Sequence, residues 1–232
     1  MDESAFRIEL DEPAAARAGV ASVAASLLRL PDAIACFVLA HGAGAGMDHA
    51  FLLDTARGLA ERGIATLRFQ FPFMERGSRR TDPPAIATCA VRSGVVAAIA
   101  RCGDLPIVGG GKSFGGRMAS HAAAEGLVPA VRGLVFLGFP LHPAEKPGVA
   151  RAAHLPRVPC PMLFVQGTRD ALADLGLIRA MTEPLGDRAT LAVVDDADHA
   201  FHVRASSGRR DREAHREIHD AVAAWIRRLT SG

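Results

Sequence analysis

The residues best suited to chemistry in this 232-residue chain lie in the run Gly111-Lys112-Ser113-Phe114-Gly115. It fits G-x-S-x-G, the pattern of a serine held at a sharp, strained turn between a strand and a helix. The apolar pair Ile107-Val108 runs into it, and a helical pattern starting near Phe114 runs out. The two backbones pass close together in such a turn, so only small neighbours fit. Gly111, Gly115 and Gly116 supply that space. The turn also aims the Phe114 backbone N–H at the position of a developing oxyanion, beside a helix N-terminus that favours negative charge.

The letters GGGKS also invite a phosphate-binding reading. The Walker pattern needs a glycine five positions before its Gly-Lys pair, and that position here is Pro106. A dinucleotide fingerprint counted from Gly109 fails as well, because its sixth position is Phe114. The remaining rival is an ordinary glycine-rich turn with a chance serine.

A serine hydroxyl is a weak nucleophile until a base takes its proton, and the base needs an orienting carboxylate. The strand-like run 162–166 leads into Gly-Thr-Arg-Asp, which sets Asp170 just past its end. The run 190–195 leads into Asp196-Ala197-Asp198-His199. Parallel strands bring their C-terminal ends to one edge, so Ser113, Asp170 and His199 are expected to converge there. Nine histidines leave rivals. His202 competes with His199, while Asp195, Asp196 and Asp198 compete with Asp170. His121 and His154 lack a strand-end position, and His215 and His219 read as surface residues of the last helix.

A second glycine cluster, His41-Gly42-Ala43-Gly44-Ala45-Gly46, follows the apolar run 35–40. An H-G-x loop after an early strand supplies a second oxyanion donor from its backbone. Ala43 is the expected donor, with Gly44 as its rival, and His41 is expected to brace the loop. Eight of the 23 glycines fall in these two turns.

The elements that must position these groups alternate along the chain. Strand patterns occupy 21–30, 35–40, 65–71, 107–110, 133–139, 162–166 and 190–195. Helical spacing occupies 49–62, 84–101, 114–125, 172–183 and 210–229. Nearly continuous apolar runs such as CFVLA and LVFLGF suit strands covered on both faces. The expectation is an α/β fold: a mostly parallel central sheet with helices on both faces. One domain, 1–232, is expected, with a minimal cap-like insertion at about 140–161. A second irregular stretch, 72–83, holds Phe73 and the Arg79-Arg80 pair, with Phe71 just before it.

Composition narrows the function. Hydrophobic residues make up 49% and charged residues 22%, the balance of a globular chain. The net charge of +2 without a long basic run gives no support to nucleic-acid binding or to an anionic membrane surface. No stretch of about 18 uncharged apolar residues reads as a membrane span. There is no tyrosine to act as a phenolic acid, and lysine occurs only at Lys112 and Lys146. Cys36, Cys89, Cys102 and Cys160 lack C-x-x-C spacing, which argues against zinc and for buried free thiols in a reducing cytoplasm. The acidic start, with Asp2, Glu3 and Glu9, lacks the pattern of a secretory signal.

Taken in order, HGAGAGM, the FPF turn at 71–73, GGKSFGGRM, GFPLHP, QGTRD and DADHAF resemble a known family from about residue 35 onward. The chain resembles the small dienelactone-hydrolase-like α/β-hydrolases of the KANL/testis-expressed type. The resemblance implies the α/β-hydrolase fold and a triad of Ser113, Asp170 and His199. Dienelactone hydrolase itself uses a cysteine where this chain has Ser113.

The expected activity is therefore hydrolysis of an ester or related acyl bond in a small-molecule substrate. Ala43 and Phe114 would form the oxyanion hole. Phe71, Phe73, Leu141 and His142 are expected to line the pocket, with plain packing as the alternative. No metal or organic cofactor is expected. Thioesterase or peptidase chemistry fits the same triad, and a non-catalytic hydrolase-fold interaction module is the rival outside enzymes.

Overall fold

The run ACFVLA forms a strand, β3 (Ala35–Ala40), buried at every position. It lies in the middle of a sheet with helices on both sides. Its alternate side chains divide between two cores, as the two-residue period of a strand requires. Phe37 and Leu39 join Phe51, Ile218, Val222 and Trp225 on one face. Cys36, Val38 and Ala40 join Val91, Val95 and Met118 on the other.

A computed structural model describes residues 2–231. The chain runs β1 (Asp2–Glu9), α1 (Glu12–Ala18), β2 (Ser22–Arg29), β3, α2 (Ala50–Ala60), β4 (Ile64–Phe69), α3 (Pro72–Glu75), α4 (Pro84–Cys102), β5 (Ile107–Lys112), α5 (Phe114–Ala124), β6 (Val131–Leu137), β7 (Met162–Gly167), α6 (Leu175–Thr182), β8 (Ala189–Val194) and α7 (Asp211–Thr230). Eight strands form one sheet in the order β1-β2-β4-β3-β5-β6-β7-β8. β1 and β2 run antiparallel, and every pairing from β4 to β8 is parallel.

All seven expected strands are present, with ends shifted by a few residues. β1 and α1 were not expected. β1 is an edge strand that pairs with β2 along its whole length. Ile8 and Phe6 reach the core, while Arg7 bonds outward to Ser22 and Glu75. α1 starts at Asp11, whose carboxylate accepts from the Ala14 amide at 3.2 Å, and stops at left-handed Gly19.

The segment 140–161 contains only two single 3-10 turns, Ala150–Ala152 and Leu155–Arg157. Leu141, Leu155 and Val158 are buried, so the segment packs down onto the fold and builds no lid. The 72–83 stretch includes the one-turn α3. Helix α4 is long and apolar enough to cross a membrane by length and composition, yet it packs on α5 and β3, and 56% of its apolar window is buried. The four cysteines are free thiols, with Cys36, Cys102 and Cys160 buried and Cys89 half-buried.

Candidate active site

The turn after β5 places Ser113 at φ 50° and ψ −113°, a left-handed backbone that a serine adopts only under constraint. The constraint is the close approach of β3. A Cβ on Gly111 would sit 2.1 Å from the Ala40 carbonyl oxygen. One on Gly115 would sit 2.6 Å from both the Ala40 and His41 oxygens. The glycines let α5 start against the end of β3 and leave Ser113 projecting at the strand edge.

His199 comes from the loop after β8. Asp198 shapes that loop by accepting from the Ala200 amide at 2.8 Å and the His202 amide at 3.0 Å. The His199 ring then lies between two partners. Its Nε2 is 2.9 Å from Ser113 Oγ, and its Nδ1 is 2.7 Å from Asp170 Oδ2. An ionised carboxylate only accepts, so Nδ1 carries a proton and Nε2 is free to accept from the serine. Asp170 follows β7 with its side chain fully buried. Its Oδ1 accepts from the Leu172 amide at 2.8 Å, and its Oδ2 also accepts from Gln166 Nε2 at 2.5 Å.

The rivals are engaged elsewhere. Asp196 pairs with Arg204 and Arg169. Asp195 is exposed. His202 is exposed, and its hydrogen bond to Asp211 holds its pKa above the ordinary value. His219 is not the surface residue expected. It is buried against Gly58, and burial pushes its pKa down to about 4.

A second serine–histidine contact, Ser120 Oγ to His154 Nε2 at 2.8 Å, has the opposite polarity. Ser120 donates its only proton to the Arg117 carbonyl at 2.8 Å, so His154 must donate to Ser120. His154 also stacks on His121 with centroids 3.6 Å apart, and burial pushes its pKa down to about 4. This is a packed, neutral pair without an orienting carboxylate.

The loop after β3 lies against the elbow. A Cβ on Gly42 would be 3.8 Å from Ser113 Cβ. Among the described residues, neither the Ala43 nor the Phe114 amide donates to another backbone group. His41 holds this loop from beneath. Its Nδ1 donates to the Gly42 oxygen at 2.7 Å, and the Phe71 amide donates to its Nε2 at 2.8 Å. Burial pushes its pKa down to about 4, which keeps the ring neutral for both bonds.

A cavity of about 420 Å³ opens beside Ser113 and His199, walled by Ala43, Gly44, Ala45, His49, Phe51, Leu52, Leu172 and Ala200. The four residues expected in its wall are elsewhere. Phe71 and Phe73 are fully buried and pack edge-on against Phe114 and His41. They support the two candidate oxyanion segments from behind. Leu141 is fully buried. His142 is buried as a latch, accepting from the Asp174 amide at 2.9 Å while its Nδ1 bonds the Pro143 oxygen. It fixes the 170–174 loop, which carries Asp170 and Leu172. Aromatic residues beside a site serve equally as wall or as foundation, and here burial makes them foundation.

Two residues at the site were given no part in it by sequence. Gln166 is fully buried and bridges the Phe139 amide to Asp170. Lys112 fills the variable position of the elbow motif, but its Nζ reaches the His199 carbonyl at 2.6 Å. No group of three or more His, Cys, Asp or Glu side chains among the described residues could hold a metal ion.

Residues 33–227 match the family described as the alpha/beta hydrolase domain. The chain belongs to the α/β-hydrolase family. Solved structures agree on the fold of this α/β-hydrolase across nearly its full length. Dienelactone hydrolase from Anabaena variabilis superposes with a TM-score of 0.74 at 20% identity, covering 98% of this chain and 97% of that one. The esterase domain of a Rhodothermus marinus protein gives 0.71 at 17% identity, covering 98% and 99%. A Xanthomonas campestris protein described as an α/β serine hydrolase without lid gives 0.71 at 20% identity, covering 97% and 95%.

Proposed function

We propose that this α/β-hydrolase is a serine hydrolase that cleaves a carboxylic ester or related acyl bond of a small molecule. The observation that carries the reading is the continuous bonded run Ser113 Oγ, His199 Nε2, His199 Nδ1 and Asp170 Oδ2, at 2.9 and 2.7 Å. His199 takes the Ser113 proton as Oγ attacks the carbonyl carbon. The amides of Ala43 and Phe114 hold the oxyanion, each worth about 2.7–4 kcal/mol of transition-state stabilisation. Asp170 keeps the imidazole oriented and stabilises its charged form. His199 then protonates the departing alcohol. A water deprotonated by His199 attacks the acyl-enzyme, and Ser113 is regenerated. Each proton and each charge in these steps has a protein group to receive it.

The cavity wall is mostly apolar, which supports an uncharged acyl group small enough for about 420 Å³. Within the family, the order of motifs supports the KANL/testis-expressed type. The free cysteines support a reducing, cytoplasmic setting. Purified protein offered p-nitrophenyl esters of graded acyl length, with matched thioesters in parallel, tests the reading. Saturable turnover that falls at least about 10³-fold in Ser113→Ala is expected. Absence of turnover across both series overturns it.

A further inference from the structure

The lysine beside the nucleophile is placed in a way that the hydrolytic steps above do not use. Lys112 ends β5 one residue before Ser113. Its Nζ donates to the backbone oxygen of His199 at 2.6 Å. In the sheet, β6 and β7 separate β5 from β8. The loop that carries the candidate base therefore reaches back over the strand ends to meet the Lys112 side chain. The end of β6 is kept bare to let it pass. A Cβ on Gly138 would lie 3.0 Å from Lys112 Nζ, 3.4 Å from His199 Nδ1 and 3.5 Å from Asp170 Oδ2.

This placement is costly. Among the described residues, no carboxylate forms an ion pair with Lys112, and a poorly hydrated ammonium without one is unfavourable. The ring of Phe201 lies 5.3 Å from Nζ and returns part of the lost hydration. Asp170 from the end of β7 and Asp198 from the end of β8 face the amine without touching it, His199 lies beside them, and His49 stands on the wall of the same cavity. Burial pushes the lysine pKa down to about 8, against the pull of the two carboxylates, so Lys112 remains mostly charged at neutral pH.

We propose that Lys112 is a positioning residue for His199, fastening the base-bearing loop to the elbow. The backbone bond fixes the height of His199 above Ser113 from the same strand that presents the serine.

The proposal rests on the hydrolase reading, and its test separates the two. Lys112→Met removes both charge and donor. Lys112→Gln removes the charge and keeps an N–H donor. In Lys112→Met, kcat is expected to fall about 10-fold with KM held within about 2-fold. Lys112→Gln, which keeps a donor for the His199 carbonyl, should recover part of that kcat. A lysine that only fills space would leave kcat where it is when Met replaces it, so an unchanged kcat in folded Lys112→Met overturns the proposal. Wild-type protein gives a readout that needs neither variant folding nor turnover. The Cε1–H resonance of His199 should shift as Lys112 ionises near pH 8. A resonance flat through that range overturns the proposal, whereas a shift in a protein inactive toward every ester sinks the hydrolase reading and leaves the Lys112 link standing.

Discussion

Gln166 Nε2 donates to Asp170 Oδ2 at 2.5 Å, on the same oxygen that faces His199 Nδ1 at 2.7 Å. The carboxylate that orients the base is itself oriented, from β7, the strand that leads into it. Asp170→Asn should lower kcat by about 10⁴-fold, because an amide in that place favours the wrong imidazole tautomer. Gln166→Leu removes one bond to a buried charged group, worth about 1.5–3 kcal/mol. Its kcat/KM should fall about 10- to 100-fold. Steady-state kinetics on one ester checks both, and a Gln166→Leu enzyme of wild-type activity would show the bond to be idle.

Acid should destabilise the fold before it protonates many carboxylates. Burial pushes His41, His154 and His219 each down to about 4. Unfolded, they titrate near 6.5, so between about pH 6.5 and 4 the unfolded chain binds more protons than the folded one. Their stabilising contribution is present above that window and is lost as pH falls through it. Each contributes a slope of up to about 1.4 kcal/mol per pH unit. Urea unfolding at a series of pH values checks this, and a flat unfolding free energy from about pH 6.5 to 4.5 contradicts it.

The elbow tolerates no side chain at Gly115. Alanine there would press its Cβ against the Ala40 and His41 oxygens at 2.6 Å. Gly115→Ala should cost about 1–3 kcal/mol of stability and tilt α5 away from β3. Ser113 and the Phe114 amide move with α5, so activity should fall further than the melting temperature implies. A fully active Gly115→Ala protein would contradict this account of the turn.

Foundation and wall can be told apart by mutation. Phe71→Ala should cost about 3–5 kcal/mol of stability, since it empties a buried site under the elbow. It should leave the preferred acyl length unchanged. Leu172→Ala enlarges the cavity itself and should shift preference toward longer acyl chains at little cost in stability. Thermal melts and the ester series together decide, and exchanged behaviour of the two variants would reverse the assignment.

The legible parts of the sequence were those in which chemistry and local backbone coincide. A serine among glycines at a strand-to-helix junction declares its own geometry, and the runs after 162–166 and 190–195 declare which edge of the sheet they reach. β1 was illegible because DESAFRIE is mostly polar, with bulky apolar side chains only at Phe6 and Ile8, and it becomes a strand through its pairing with β2. The roles of Phe71, Phe73, Leu141 and His142 depend on which way each side chain points from an irregular segment, and no period governs that. Lys112 joins the end of β5 to the loop after β8, and Gln166 joins β7 to Phe139 after β6, so both contacts follow from strand order and are invisible to spacing along the chain.

The central claim is that Ser113 is a nucleophile activated by His199. Intact-mass and peptide spectrometry after treatment with a fluorophosphonate probe tests it most directly. The account predicts one covalent adduct, mapped to Ser113, that is lost in Ser113→Ala and strongly slowed in His199→Ala. An unmodified folded protein, or an adduct that persists in Ser113→Ala, would contradict it.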